Sequence, residues 1–185
     1  MVTRLQAVGM IEFNSIAAGI EAADAMLKAA SVSPLIMKTI CPGKFVAAVH
    51  SDVASARAAV DAGLACGSDA VVDHFLIPNI SPSVISALSC TVEHVRGSAV
   101  GVIETFSAAS SIVAADTAVK AAEVDLIEVR LAMGLGGKAI CLLSGDVAAV
   151  QAAVAAGAAA VAESGLLVRK VVIPGMTPEL LPYIM

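Results

Sequence analysis

The chain has 185 residues, of which 58% are hydrophobic, 15% are charged and only 3% are aromatic. Its net charge of −5, without any cluster of lysine and arginine, argues against nucleic acid binding. The longest charge-free runs are residues 75–92, which prolines interrupt, and residues 147–162, which are mostly alanine. Neither is typical of a membrane span of about 20 apolar residues. We therefore expect a soluble cytoplasmic protein with no membrane partner.

The first predicted elements are an apolar strand over residues 5–12 and a helix that runs to about Ala30. Asn14 or Ser15 is placed to cap the helix, because a short polar side chain satisfies its free N–H groups. Asp24 precedes Lys28 by one helical turn, and this spacing favours an ion pair. The apolar residues of the helix recur at helical spacing and predict one apolar face: Ile16, Ile20, Ala23 and Leu27.

Two further strands, over residues 34–40 and 45–50, flank the turn Cys41-Pro42-Gly43. Asp52 is placed to cap a second helix that runs to about Ala65. A fourth strand is predicted over residues 70–77, and Pro78 ends it. The order of these elements is β-α-β-β-α-β.

The second half of the chain repeats the first. The sequence of residues 7–12 recurs with small changes at residues 99–104, Lys28-Ala29-Ala30 recurs as Lys120-Ala121-Ala122, and Gly43-Lys44 recurs as Gly137-Lys138. Asp146 takes the capping position of Asp52. We therefore predict an α+β protein with two tandem ferredoxin-like domains, residues 1–90 and 97–185, each a four-stranded antiparallel sheet with helices on one face.

Four cysteines are present, without any C-x-x-C pair, so they are interpreted as thiols or metal ligands rather than disulfides. Cys66, Cys90 and Cys141 are expected to be structural. Cys41 stands in the turn of the first half, and the second half has Leu135-Gly136 at the matching place. A lone cysteine is more often a small buried apolar residue than a ligand, but a turn position favours the ligand interpretation.

In both halves, the order of the Gly-Met-Ile-Glu-like strand, the helix ending in Lys-Ala-Ala, the Gly-Lys turn, the Asp-Val helix start and the Ile-Pro ending is similar to that of bacterial microcompartment shell proteins. The resemblance is to the tandem-domain class and covers nearly the entire chain. It implies a homotrimer in which six domains form a pseudo-hexameric tile, and tiles that assemble with other shell proteins into the microcompartment shell. It further implies that the turns line a central pore. The pore-lining residues would be Ile40, Pro42, Gly43, Lys44, Gly134, Leu135, Gly136 and Gly137.

Within this class, members with a similar cysteine turn hold an iron–sulfur cluster in the pore through one cysteine per subunit. By resemblance, Cys41 would be the cofactor and metal ligand. A four-iron cluster usually needs about four thiolates, and three copies of Cys41 would supply three ligands to a 4Fe-4S cluster shared by three subunits. The fourth iron would need another group. Such a tile would carry electrons or clusters across the shell, with encapsulated redox enzymes as partners.

The remaining predictions concern the positions of four lysines. By resemblance, Lys28 and Lys120 would lie at the tile edge and pack against the next tile; the other interpretation is a solvated helix face. Lys44 and Lys138 either give the pore rim positive character or flank a turn with solvated charges.

Two other functions stay open. A shell tile with a plain metabolite-conducting pore would leave Cys41 without a metal, and a duplicated ferredoxin-like regulatory module would bind a small ligand between its domains. We expect no enzyme, because no general acid, base and nucleophile set is visible.

Overall fold

The computed structural model describes residues 6–89 and 97–184. The first half contains β1 (Ala7–Phe13), α1 (Ile16–Ala29), β2 (Ser33–Ile40), β3 (Lys44–Ser51), α2 (Val53–Cys66) and β4 (Val71–Pro78). After α3 (Pro82–Leu88), the second half contains β5 (Ala99–Thr105), α4 (Ala108–Ala121), β6 (Asp125–Leu131), β7 (Ala139–Gly145), α5 (Val147–Ala162), β8 (Leu167–Ile173) and the short α6 (Leu181–Ile184).

Each half forms its own four-stranded antiparallel sheet. The strand order is β2-β3-β1-β4 in the first sheet and β6-β7-β5-β8 in the second. The predicted fold and the predicted duplication are therefore confirmed. The short helices α3 and α6 were not predicted.

The chain divides into two compact units, and their boundaries differ from those of the sequence repeat. Unit 1 comprises residues 1–82 and 132–137, and unit 2 comprises residues 83–131 and 138–185. The turn between β6 and β7, which the repeat assigns to the second half, thus belongs to unit 1 by its contacts.

Small residues let α1 and α2 lie close to the sheet of unit 1. Gly19 of α1 packs on Phe45, and a Cβ built on Gly19 would lie only 2.6 Å from the Cβ of Phe45. The alanine-rich composition fits this thin packing, because a well-packed core has no space for extra side-chain volume. The largest members of this core are Phe13, Met26, Phe45 and Ile11.

Helices α1, α2, α4 and α5 each begin at an N-cap residue with a short polar side chain, and three of these side chains make a capping hydrogen bond. Ser15 caps α1 and Ser107 caps α4, and Asp52 accepts hydrogen bonds from the N–H groups of Ala54 (2.9 Å) and Ser55 (3.0 Å) at the start of α2. Asp146 is the N-cap residue of α5, as predicted, but its side chain makes no capping hydrogen bond. The Ser55 hydroxyl holds the Asp52 carboxylate at 2.7 Å, and the matching position of α5 is Ala149, which has no hydroxyl.

The predicted apolar face of α1 is largely exposed within this chain. Ala23 is buried, but Ile16, Ile20 and Leu27 are 37%, 56% and 40% exposed. The sheet is covered instead by a neighbouring stripe of α1, which includes Gly19, Ala22 and Met26. Among the described helices, none is long and apolar enough to cross a membrane.

Candidate functional site: the turn at Cys41

The hairpin of β2 and β3 presents Cys41, Pro42 and Gly43 at its tip. Ile40 pairs with Lys44 in the last step of the ladder, so these three residues close the turn. All three are exposed, whereas Ile40 is buried and anchors the tip. Gly43 has φ +82°, a left-handed conformation that favours glycine. The Cys41–Pro42 peptide bond is cis.

The turn between β6 and β7 packs against this tip as part of unit 1. The backbone N–H of Cys41 donates a hydrogen bond to the carbonyl oxygen of Ala132 at 3.0 Å. Gly137 lies beside Pro42, and a Cβ on Gly137 would approach the Pro42 Cδ to 2.8 Å. Gly137 also has φ +90°, so both the space and the backbone require glycine there.

A pocket of about 400 Å³ opens where the two turns meet. Cys41 lines it from the first turn, and Met133 lines it from the second. Met133 is 58% exposed, and the Nζ of Lys38 lies 3.9 Å from its sulfur. The other lining residues are Ile16, Thr39, Ile40, Gly43 and Gly134.

The other residues predicted to line a pore vary in exposure. Gly134 and Gly136 are exposed, with φ +73° and +60°, and a Cβ on either would meet nothing within 4 Å. Leu135 is half-buried and Gly137 is buried. At Gly134 and Gly136 the second turn therefore presents backbone rather than side chains at its surface.

Both turn lysines are paired with glutamates. Lys44 donates to Glu12 at 2.8 Å, and Lys138 donates to Glu104 at 2.8 Å. Glu12 is fully buried, whereas Glu104 keeps 27% of its side chain exposed. A carboxylate taken out of water needs a partner charge, and these lysines supply that charge to Glu12 and Glu104. Sequence analysis missed this pairing, although the Gly-Lys and Ile-Glu motifs recur together.

The remaining cysteines lie apart from the turn. Cys66 is exposed at the end of α2, and Cys141 is buried in β7, where desolvation raises the pKa of its thiol to about 12. Cys90 lies outside the described residues. Within residues 6–89 and 97–184, no three His, Cys, Asp or Glu side chains come together to hold a metal ion.

Lys28 and Lys120 form the ion pairs expected from their spacing. Lys28 pairs with Asp24, and Lys120 pairs with Asp116, each one turn earlier in the helix. The first pair is largely exposed, whereas Asp116 is buried. Their role at a tile edge stays a prediction.

The two similar sheets, each with a turn between its second and third strands, are two copies of one domain. Comparison with known proteins identifies the family of this domain. The profile of the BMC domain matches residues 7–80 and again residues 99–176. The chain belongs to the BMC-domain family and is a bacterial microcompartment shell protein with tandem domains.

Among individual proteins, it is similar to the bacterial microcompartment shell protein PduT of Citrobacter freundii. The two are 46% identical over 169 residues, which cover 91% of this chain and 92% of that protein. A shorter match reaches the shell protein EutM of Salmonella typhimurium, with 49% identity over 61 residues, or 33% of this chain and 64% of EutM.

Solved structures agree with this assignment. A microcompartment protein from Desulfitobacterium hafniense DCB superposes with a TM-score of 0.83 at 49% identity, over 95% of this chain and 98% of that one. The fused permuted hexameric shell protein MSM0275 of the RMM microcompartment superposes with a TM-score of 0.64 at 25% identity, over 84% of this chain and 81% of that chain.

Proposed function

We propose that three copies of this chain form a pseudo-hexameric shell tile whose central pore binds an iron–sulfur cluster through Cys41 of each copy. The cluster transfers electrons across the shell or is delivered to redox enzymes inside. The tile joins other shell proteins at its edges and is not itself an enzyme. The exposed Cys41 thiol at the tip of its turn is the observation that carries this proposal.

The asymmetry of the two turns supports a site shared by three chains. The first turn ends in a thiol, and the matching position of the second turn is Leu135. In a ring of six alternating domains, three thiols therefore face the centre. Three thiolates are one fewer than the four ligands of a usual four-iron cluster, which is compatible with a cluster that keeps one iron open.

The exposed face of α1 supports assembly from several copies. Ile20 is 56% exposed, whereas Ile112, its counterpart in α4, is only 2% exposed. An apolar face that is exposed on the separate chain is commonly covered by another copy in an oligomer. The related MSM0275 is described as a fused hexameric shell protein, which is consistent with six domains per tile.

The experiment is to purify the protein without oxygen and to measure its mass, iron and sulfide. A trimer with iron and acid-labile sulfide, both lost in Cys41→Ser, is expected. The matched control is Cys66→Ser, which removes another exposed thiol and should keep the iron. An iron-free wild-type trimer overturns the cluster. A monomer or dimer overturns the tile and favours the regulatory-module alternative.

A tile with a plain metabolite pore is the second candidate. The exposed Gly134 and Gly136, with open space beside both, favour passage of small molecules near this turn. In that case the trimer forms without iron, and Cys41→Ser changes neither assembly nor metal content.

A further inference from the structure

Met133 is unusual because it is a large apolar residue that is mostly exposed. It is 58% exposed and lines the same pocket as Cys41. The repeat matches Met133 to Thr39, which lies in β2 just before the first turn. Each turn therefore brings one sulfur atom to the pocket, a thiol from the first and a thioether from the second.

The backbone keeps these two side chains in neighbouring positions. Ala132 is buried, has φ +48°, and accepts the hydrogen bond from the N–H of Cys41. Met133 follows directly, and Gly134 continues the turn with φ +73°. The hydrogen bond thus ties the residue before Met133 to the thiol-bearing residue itself.

A thioether is a suitable ligand for a soft metal. Methionine and cysteine sulfur both select soft metals, and methionine is an established iron ligand in cytochromes, where it raises the reduction potential. In this pocket the contact that the structure gives the Met133 sulfur is the Nζ of Lys38 at 3.9 Å. Such a weak contact is readily exchanged for a metal.

We propose that Met133 supplies a thioether sulfur to the iron that three Cys41 thiolates leave open. This inference rests on the proposed cluster and adds a fourth ligand from the same chain. One of the three Met133 side chains around the axis binds at a time, and the other two stay in their pockets. No oxidation or reduction accompanies the binding.

The test compares wild-type protein, Met133→Leu and Met37→Leu, each purified as the cluster-loaded trimer. Leucine keeps similar volume and apolar character but has no sulfur. Met37 is a half-buried methionine of β2 that packs on the core, away from the pocket, so its variant controls for the substitution itself. The measurements are iron content, midpoint potential, the electron paramagnetic resonance spectrum of the reduced cluster, and its titration with cyanide.

Met133→Leu is expected to retain iron, to show a lower midpoint potential and a changed spectrum, and to bind cyanide about tenfold more tightly, because the competing ligand is gone. Met37→Leu should match the wild type. A Met133→Leu trimer with iron and unchanged potential, spectrum and cyanide affinity overturns the role of Met133 and leaves the cluster standing. A wild-type trimer without iron overturns both.

Discussion

The backbone N–H of Cys41 is hydrogen-bonded to the carbonyl oxygen of Ala132, at a distance of 3.0 Å. These residues are far apart in the sequence and lie in turns that the repeat makes equivalent. Because this hydrogen bond uses backbone atoms only, replacing Cys41 by serine removes the thiol and keeps the donor and the acceptor that hold the turn. Cys41→Ser is therefore a specific test of the chemistry at the tip.

The buried ion pair behind the tip predicts unequal effects for the two turn lysines. Lys44→Ala leaves the fully buried Glu12 without this charge partner and should lower the free energy of unfolding by about 3 kcal/mol. Lys138→Ala should cost less than about 1 kcal/mol, because Lys138 and Glu104 are partly exposed to water. Urea unfolding of both variants checks the difference, and equal losses would contradict it.

The cap of α2 predicts a dependence of stability on pH. Hydrogen bonds from the Ser55 hydroxyl and the Ser55 N–H lower the pKa of Asp52 from its ordinary value of 3.8. The folded state therefore favours the carboxylate, and this stabilisation is present above pH 3.8 and is lost as the pH falls through the lowered pKa. Asp52→Ala should lower the melting temperature at pH 7 and have little effect once Asp52 is protonated.

The matched control for this cap is Asp146→Ala, because Asp146 stands at the start of α5 without a capping hydrogen bond. Its melting temperature at pH 7 should stay closer to that of the wild type. If both alanine variants melt alike at pH 7, the side-chain cap of Asp52 contributes nothing measurable.

The exposed stripe of α1 predicts a variant that folds without assembling. Ile20→Asp places a charge on an apolar face that we expect another copy to cover, and a buried unpaired charge opposes association. Ala17→Asp introduces the same charge on the same helix at an exposed position outside the stripe. Native mass spectrometry should show a trimer for Ala17→Asp and smaller species for Ile20→Asp, with similar circular dichroism. A trimer in both variants would place the interface elsewhere.

The burial of Cys141 predicts selective labelling of the thiols. Its pKa is raised to about 12 by desolvation, so almost no thiolate exists at pH 8, and the side chain has no access to reagent. Brief iodoacetamide treatment of the native, metal-free protein, followed by peptide mapping, should find label on Cys41 and Cys66. Label on Cys141 should appear only after unfolding in urea, and its early appearance would show that β7 opens.

The duplication and the order of helices and strands along the chain were predictable because each repeat has its own strand, cap and turn signals. The burial of α1 was not, since helical spacing marks an apolar stripe without saying whether the sheet or another chain covers it. Here, smaller residues such as Gly19 and Ala22 face the sheet and Ile20 faces outward. The hydrogen bond between Cys41 and Ala132 could not be predicted either. It joins backbone atoms, and a sequence pattern gives information only about side chains.

The glutamate–lysine pair occurs behind both turns, yet the residues before the shared glycine differ, with Cys41-Pro42 in the first turn and Leu135-Gly136 in the second. The ion pair is common to both repeats, whereas the residues at the tips of the turns are not. A few residues at either tip can therefore be replaced while the sheet keeps its structure. Because one chain encodes two tips, each rewritten tip would appear at every second position of a ring, which offers a way to place two different chemistries in alternation around one axis.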